Sequence, residues 1–125
     1  MFELKLNNKT IHLKWGTWAM REYCIVNNIT LEKYFDFLKN AQTDLNVIIQ
    51  LIYIGYKAAC VSKKEEIIYT EVDVCEWVDE LGSIFNIESP VKDYFQYIVD
   101  CTLVNVNGPK DTKDEKKKPN KTKLG

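Results

Sequence analysis

Few residues in this chain could do chemistry, and their spacing decides how each is read. His12 is the only histidine. A His-based zinc site or a Cys–His nucleophile would have to be assembled around that one ring. It lies on the polar side of an alternating segment, so we read it as a surface residue. The cysteines are Cys24, Cys60, Cys75 and Cys101, with no C-x-x-C pair among them. Structural zinc usually takes paired knuckles. Each cysteine instead falls in a stretch with helical spacing, where it acts as a small buried hydrophobe. The reading is four reduced thiols in a cytosol, and neither a metal nor a cofactor is expected. Ser62, Ser83 and Ser89 stand in loops or caps with no base near them in sequence. There is no G-x-S-x-G and no glycine-rich phosphate loop.

Carboxylates gather at Glu71, Asp73, Glu76, Asp79 and Glu80, and Glu76 and Glu80 share a helix face. Such a pair could hold a hard metal or do acid–base work. A solvated helix face is the simpler account, with Glu71 and Asp73 favourable near a helix N-terminus. A weaker third reading is an acidic patch for a basic partner. The opposite charge is concentrated at the end of the chain. Residues 106–125 hold seven Lys, three acids and no aromatic residue. The formal net charge of −1 therefore divides into −5 on the body and +4 on the tail. These Lys could touch phosphates, but acids interleave with them. The pI near 5.9 argues against a body that coats nucleic acid.

The elements that position these residues follow from periodicity. A length of 125 residues with 46% hydrophobic residues suits one domain with a real core. We expect a mainly α fold with a short N-terminal β-hairpin (α+β), about five helices around a central apolar helix, a folded domain over 1–105 and a disordered Lys-rich tail over 106–125. Phe2, Leu4 and Leu6 alternate with polar residues, as do Ile11, Leu13 and Trp15. Asn7 and Asn8 between them tolerate the left-handed backbone of a tight turn. Thr17 offers an N-cap hydroxyl to a helix reaching Val26, which Asn27 and Asn28 stop. Thr30 caps a second helix with Lys33 at N3, an incomplete capping box. Its stripe is Leu31, Tyr34, Phe35 and Leu38.

Asp44 caps the longest helix, from Leu45 to about Val61. Leu45, Ile48, Ile49, Ile52, Tyr56 and Ala59 form one face, and Val47, Leu51, Ile54 and Ala58 a second. A helix apolar on nearly all sides is central. Gly55 in its middle points to close packing of another element. A fourth helix spans Val72 to Leu81, with Val74, Trp77, Val78 and Leu81 inward, and Gly82 ends it. Ser89 and Pro90 start the last helix, whose face is Val91, Tyr94, Phe95, Ile98, Val99 and Thr102. Met1 is not followed by the apolar run of a signal peptide. The most apolar run, Val47 to Ile54, is too short and interrupted to span a bilayer. We therefore expect an intracellular protein with no membrane partner.

Three stretches carry a resemblance. Lys14-Trp15-Gly16-Thr17-Trp18-Ala19 follows the β segment. The central helix holds Leu51-Ile52-Tyr53-Ile54-Gly55-Tyr56, and the fourth Asp73-Val74-Cys75-Glu76-Trp77-Val78-Asp79-Glu80. In this order they resemble the K-F-G-xx-A, L-x-Y-A-G-L and D-V-x-x-W-I-D-E patterns of the tail assembly chaperones of long-tailed bacteriophages and prophages. Trp15 replaces Phe, and Ile54 stands where a small residue is common. The resemblance covers residues 1–105. It implies a helical protein without enzymatic activity, acting in the host cytoplasm. It also implies binding to the tape measure protein, keeping it soluble, and assistance to tail tube protein polymerising around it. The family often makes a longer frameshifted form, and Lys116-Lys117-Lys118 marks where slippery codons would lie.

A helical client would seat its apolar stripe in a groove. We expect that groove between the central and fourth helices, with Tyr53, Tyr56 and Trp77 near it and Ile52 and Val78 beside them. Without a client, the same surface would support a homo-oligomer. The alternative reading is a small nucleic-acid-binding or regulatory module acting through the basic tail. A small metal-dependent enzyme ranks last.

Overall fold

A computed structural model describes residues 1–40, 44–82 and 89–107. The chain begins with an antiparallel hairpin, β1 (Phe2–Lys5) and β2 (Thr10–Leu13), followed by α1 (Thr17–Asn27), α2 (Leu31–Asn40), α3 (Leu45–Lys63), α4 (Glu71–Glu80) and α5 (Pro90–Asn107). This is the expected α+β architecture of a short hairpin and five helices. Alternation fixes the hairpin register, with Phe2 opposite Leu13 and Leu4 opposite Ile11. One face thereby sends Leu4, Ile11 and Leu13 into the core. The turn is closed by Leu6 N donating to Lys9 O at 2.9 Å. It needs no left-handed residue: the non-glycine residues described at positive φ are Asn28 and Lys64, not Asn7 or Asn8.

α3 is the axis of the molecule. Ten of its 19 residues are buried, and β2, α1 and α4 pack against it. By length and a mean hydropathy of 1.4 it is apolar enough to cross a membrane, and 56% of that stretch is buried within this fold. Gly55 explains how the layers come so close. A Cβ there would overlap the Tyr94 hydroxyl of α5. Lys14 N of the strand exit donates to Gly55 O at 3.0 Å, and Tyr94 Oη donates to Leu51 O at 2.7 Å.

Helix ends follow local chemistry, with one correction. The N-cap of α1 is Gly16, with no side-chain cap bond, so Thr17 is the first helical residue rather than the cap. Asn28 closes that helix at φ 53°, its N–H reaching Cys24 O and Ile25 O. Asp44 caps α3 by accepting from Val47 N at 3.2 Å. α4 begins one residue before the expected Val72 and carries a capping box, Thr70 with Asp73. Ser89 Oγ accepts from Val91 N at 3.1 Å at the start of α5. That helix runs to Asn107, two residues past the expected limit of the domain. The expected disordered tail from residue 108 and the loop serine Ser83 lie outside the described residues.

A buried chain of hydrogen bonds ties distant elements together. Trp15 Nε1 donates to Tyr34 Oη at 2.8 Å, and Tyr34 Oη shares a hydrogen with Thr102 Oγ1 at 2.7 Å. It joins the strand exit, α2 and α5.

Candidate partner-binding surface

Ile52, Tyr56, Trp77 and Val78 are brought together, but they are buried, and Tyr53 beside them is half-buried. Tyr56 and Trp77 meet edge-on at 5.9 Å between ring centroids, and Tyr69 meets Trp77 at 5.2 Å. Tyr53 stacks on Tyr56 at 6.3 Å, with Lys57 Nζ 4.7 Å above its ring. The Tyr56 hydroxyl accepts from Ile68 N at 2.8 Å and Tyr69 N at 3.2 Å. The segment 65–70 thus runs past this end of α3 with Ile67 and Ile68 exposed, and a cavity of about 170 Å³ lies between it, α3 and β2. Ile52 and Tyr56 of α3 are covered by the chain itself, while Leu45 and Val61 stay exposed. Burial, outweighing the two amide hydrogen bonds, raises the Tyr56 hydroxyl above its ordinary range.

Open apolar surface lies one helix end away. The N-terminal turns of α3 and α4, with the flank of α2, bound a cleft of about 580 Å³. Clefts of ~300–1,000 Å³ accept ligands or the anchor side chains of a partner. Phe37, Leu45 and Val72 line it and are exposed by 40%, 57% and 69%. Ile49 and the exposed Cys75 add to it, and Asp44 and Glu71 supply its charge. Each apolar member is misplaced or left over on its own helix. Phe37 lies outside the Leu31–Tyr34–Phe35–Leu38 stripe, and Val72 outside the Val74–Trp77–Val78 stripe. Leu45 lies on the face expected to be inward but sits in the first turn of α3 and is left exposed. That leftover character was the signal available in the sequence. Tyr23 stands close by, its ring 6.3 Å from that of Phe37. Its hydroxyl is buried and has no hydrogen-bond partner among the described residues. Burial, followed by the nearby Asp44 carboxylate, pushes it up to about 12.

The chemically versatile residues stand apart from this cleft, Cys75 excepted. His12 Nδ1 lies 3.0 Å from Lys63 Nζ, and His12 Nε2 lies 3.6 Å from Glu3. The cysteines are free; Cys60 is buried, Cys24 and Cys101 half-buried, and Cys75 exposed, against the expectation of burial for all four. Among the described residues no group of three His, Cys, Asp or Glu is placed to hold a metal ion. Val99, expected on the covered face of α5, is 37% exposed, and Ile25 and Val26 of α1 and Leu31 of α2 are also open. No protein-family model, curated protein or solved structure matches this chain.

Proposed function

We propose that this chain is a tail assembly chaperone of a long-tailed bacteriophage or prophage. In the host cytoplasm it keeps the tape measure protein soluble and assists tail tube polymerisation around it, without enzymatic activity of its own. The observation that carries this reading is apolar surface left open on a body that has its own buried core. Ile25, Val26, Leu31, Phe37, Leu45 and Val72 stay open, while Ile52, Tyr56, Trp77 and Val78 are buried. A tape measure protein is a long helical chain with apolar stripes that need covering until the tube surrounds it.

The energetics suit temporary holding. Full burial of a large apolar side chain gains ~1.5–3 kcal/mol. Phe37, Leu45 and Val72 are already partly covered, so together they contribute about 3 kcal/mol. Association itself costs several kcal/mol. One such contact is weak and releases readily, and many along one client keep it dispersed.

Co-expression with overlapping tape measure fragments tests the proposal. At least one fragment that is insoluble alone should become soluble and co-purify with this chain. Fragments tiling the whole client that remain insoluble would overturn it.

A further inference from the structure

We infer that the cleft between α2 and the N-terminal turns of α3 and α4 seats one amphipathic helix whose apolar stripe is flanked by Lys or Arg. This deepens the chaperone reading and rests on it for the identity of the client, but not for the chemistry of the seat.

The shape excludes a small enclosed ligand. The largest apolar groups, Phe37, Leu45 and Val72, stand on the rims with much of their surface in water. Only an occupant that lies over the rims covers them. A helix does so with side chains at i, i+3 or i+4, and i+7.

Charge selects among helices. Asp44, one oxygen of which caps α3, and Glu71 are the acidic side chains lining the cleft, and among the described residues no Lys, Arg or His lines it. Neither carboxylate forms an ion pair with a described residue. The exposed carboxylates of Glu76 and Asp79 continue the negative charge along α4. A basic flank answers this field; an acidic flank opposes it. Like charge disfavours a second copy, because a two-fold contact through the cleft would set each Asp44 and Glu71 against like charges. The chain's own Lys-rich tail has the right charge, but from Gly108 on its only large apolar residue is Leu124. It cannot cover three rim side chains.

The test uses the full chain and three fluorescein-labelled helical peptides of equal length. One has a Leu stripe with Lys flanks, one the same stripe with Glu flanks, and one the Lys residues with a scrambled stripe. By anisotropy at low salt, the Lys-flanked peptide should bind about tenfold tighter than the Glu-flanked one, as two partly exposed charge pairs allow. The scrambled peptide should not bind. Saturating Lys-flanked peptide should slow alkylation of Cys75 by N-ethylmaleimide. Val72→Asp, favourable beside a helix N-terminus and so expected to keep its circular dichroism, should abolish binding. Glu71→Lys should remove or reverse the preference for Lys flanks.

Equal affinity for both flanks, an unprotected Cys75, or normal binding to folded Val72→Asp would each overturn the inference. So would a dimer that Val72→Asp dissociates while no peptide binds, which would make a second copy the occupant. Tape measure fragments separate this inference from the chaperone reading. If Val72→Asp still keeps a fragment soluble, the cleft assignment fails and the chaperone reading survives. If Lys-flanked helices bind as described but no fragment is held, the reverse is true.

Discussion

Gly55 is the residue on which the packing of three elements converges. A glycine costs a helix about 1 kcal/mol relative to alanine, so Gly55→Ala would stabilise an isolated α3. Here the added methyl would meet the Tyr94 hydroxyl, which is held by its bond to Leu51 O. We predict a net loss of ~1–3 kcal/mol, the usual cost of overpacking, read by urea denaturation. Adding Tyr94→Phe should recover part of that loss, because it removes the overlapping oxygen; a double variant less stable than Gly55→Ala alone would refute this account. Tyr23 makes the opposite case, a buried hydroxyl with nothing to lose. Its folded value is about 12, against 10.0 for an ordinary tyrosine. The folded chain therefore holds the proton more tightly, and the unfolded chain ionises first as pH rises. The stability linked to Tyr23 is whole below about pH 10 and is lost as pH climbs toward 12. Burial raises Tyr34 and Tyr94 in the same direction. We predict alkaline unfolding in that window. Tyr23→Phe should move its midpoint upward and at neutral pH should be neutral or stabilising by up to ~1 kcal/mol. An unchanged or lower alkaline midpoint in the variant would contradict the burial argument.

Among the elements, α2 is anchored through one buried polar chain. Tyr34 links Trp15 and Thr102, and removing its hydroxyl leaves both partners buried and underbonded, which costs ~1–3 kcal/mol. Tyr34→Phe should therefore raise amide exchange selectively in α2 and α5 while leaving α3 protected; uniform loss of protection would mean the link is not local. α4 depends on its capping box, so Thr70→Ala should cost ~1 kcal/mol. The elements themselves were legible because their punctuation is chemical. Asp44, Pro90 and Gly82 mark ends that need a carboxylate cap, a missing N–H and a positive φ, and Asn28 supplies the left-handed closure of α1. The box at Thr70 uses Asp73 at N3, where Glu or Gln is usual. The expected groove was not legible. Periodicity marks Ile52, Tyr56, Trp77 and Val78 as apolar without saying whether the chain or a partner covers them. Beside Tyr56 runs the segment 65–70, whose backbone N–H groups at Ile68 and Tyr69 find its hydroxyl. In sequence, 67–70 reads only as a short stretch that could be extended, with nothing to say what it packs against. The motif residues behind the resemblance are likewise packing residues: Trp15 and Trp77 are buried and Gly55 admits a neighbour. They speak to fold, and the open cleft is built from residues outside those patterns or, like Cys75, at their unspecified positions.

For the whole molecule, the decisive contrast is between an acidic body and a basic C-terminus. Ending the chain after Asn107 removes seven Lys and three acids and leaves a formal charge of −5. The two functional readings then diverge. If the basic tail were a nucleic-acid module, the full chain would bind DNA or RNA with strong salt dependence, and the shortened chain would lose that binding. On the chaperone reading, function lives in apolar surface on the body, and the tail lies outside it. We predict that the shortened chain keeps its helical circular dichroism and still holds tape measure fragments in solution. It should hold a Lys-flanked helix at least as well as the full chain, because the tail no longer repels a basic partner. That gain should vanish as salt screens the field over about 10 Å at 0.1 M. Retained client solubility in the shortened chain is incompatible with an essential tail. Loss of client binding together with salt-sensitive nucleic-acid binding by the full chain would move the function from the cleft to the lysines.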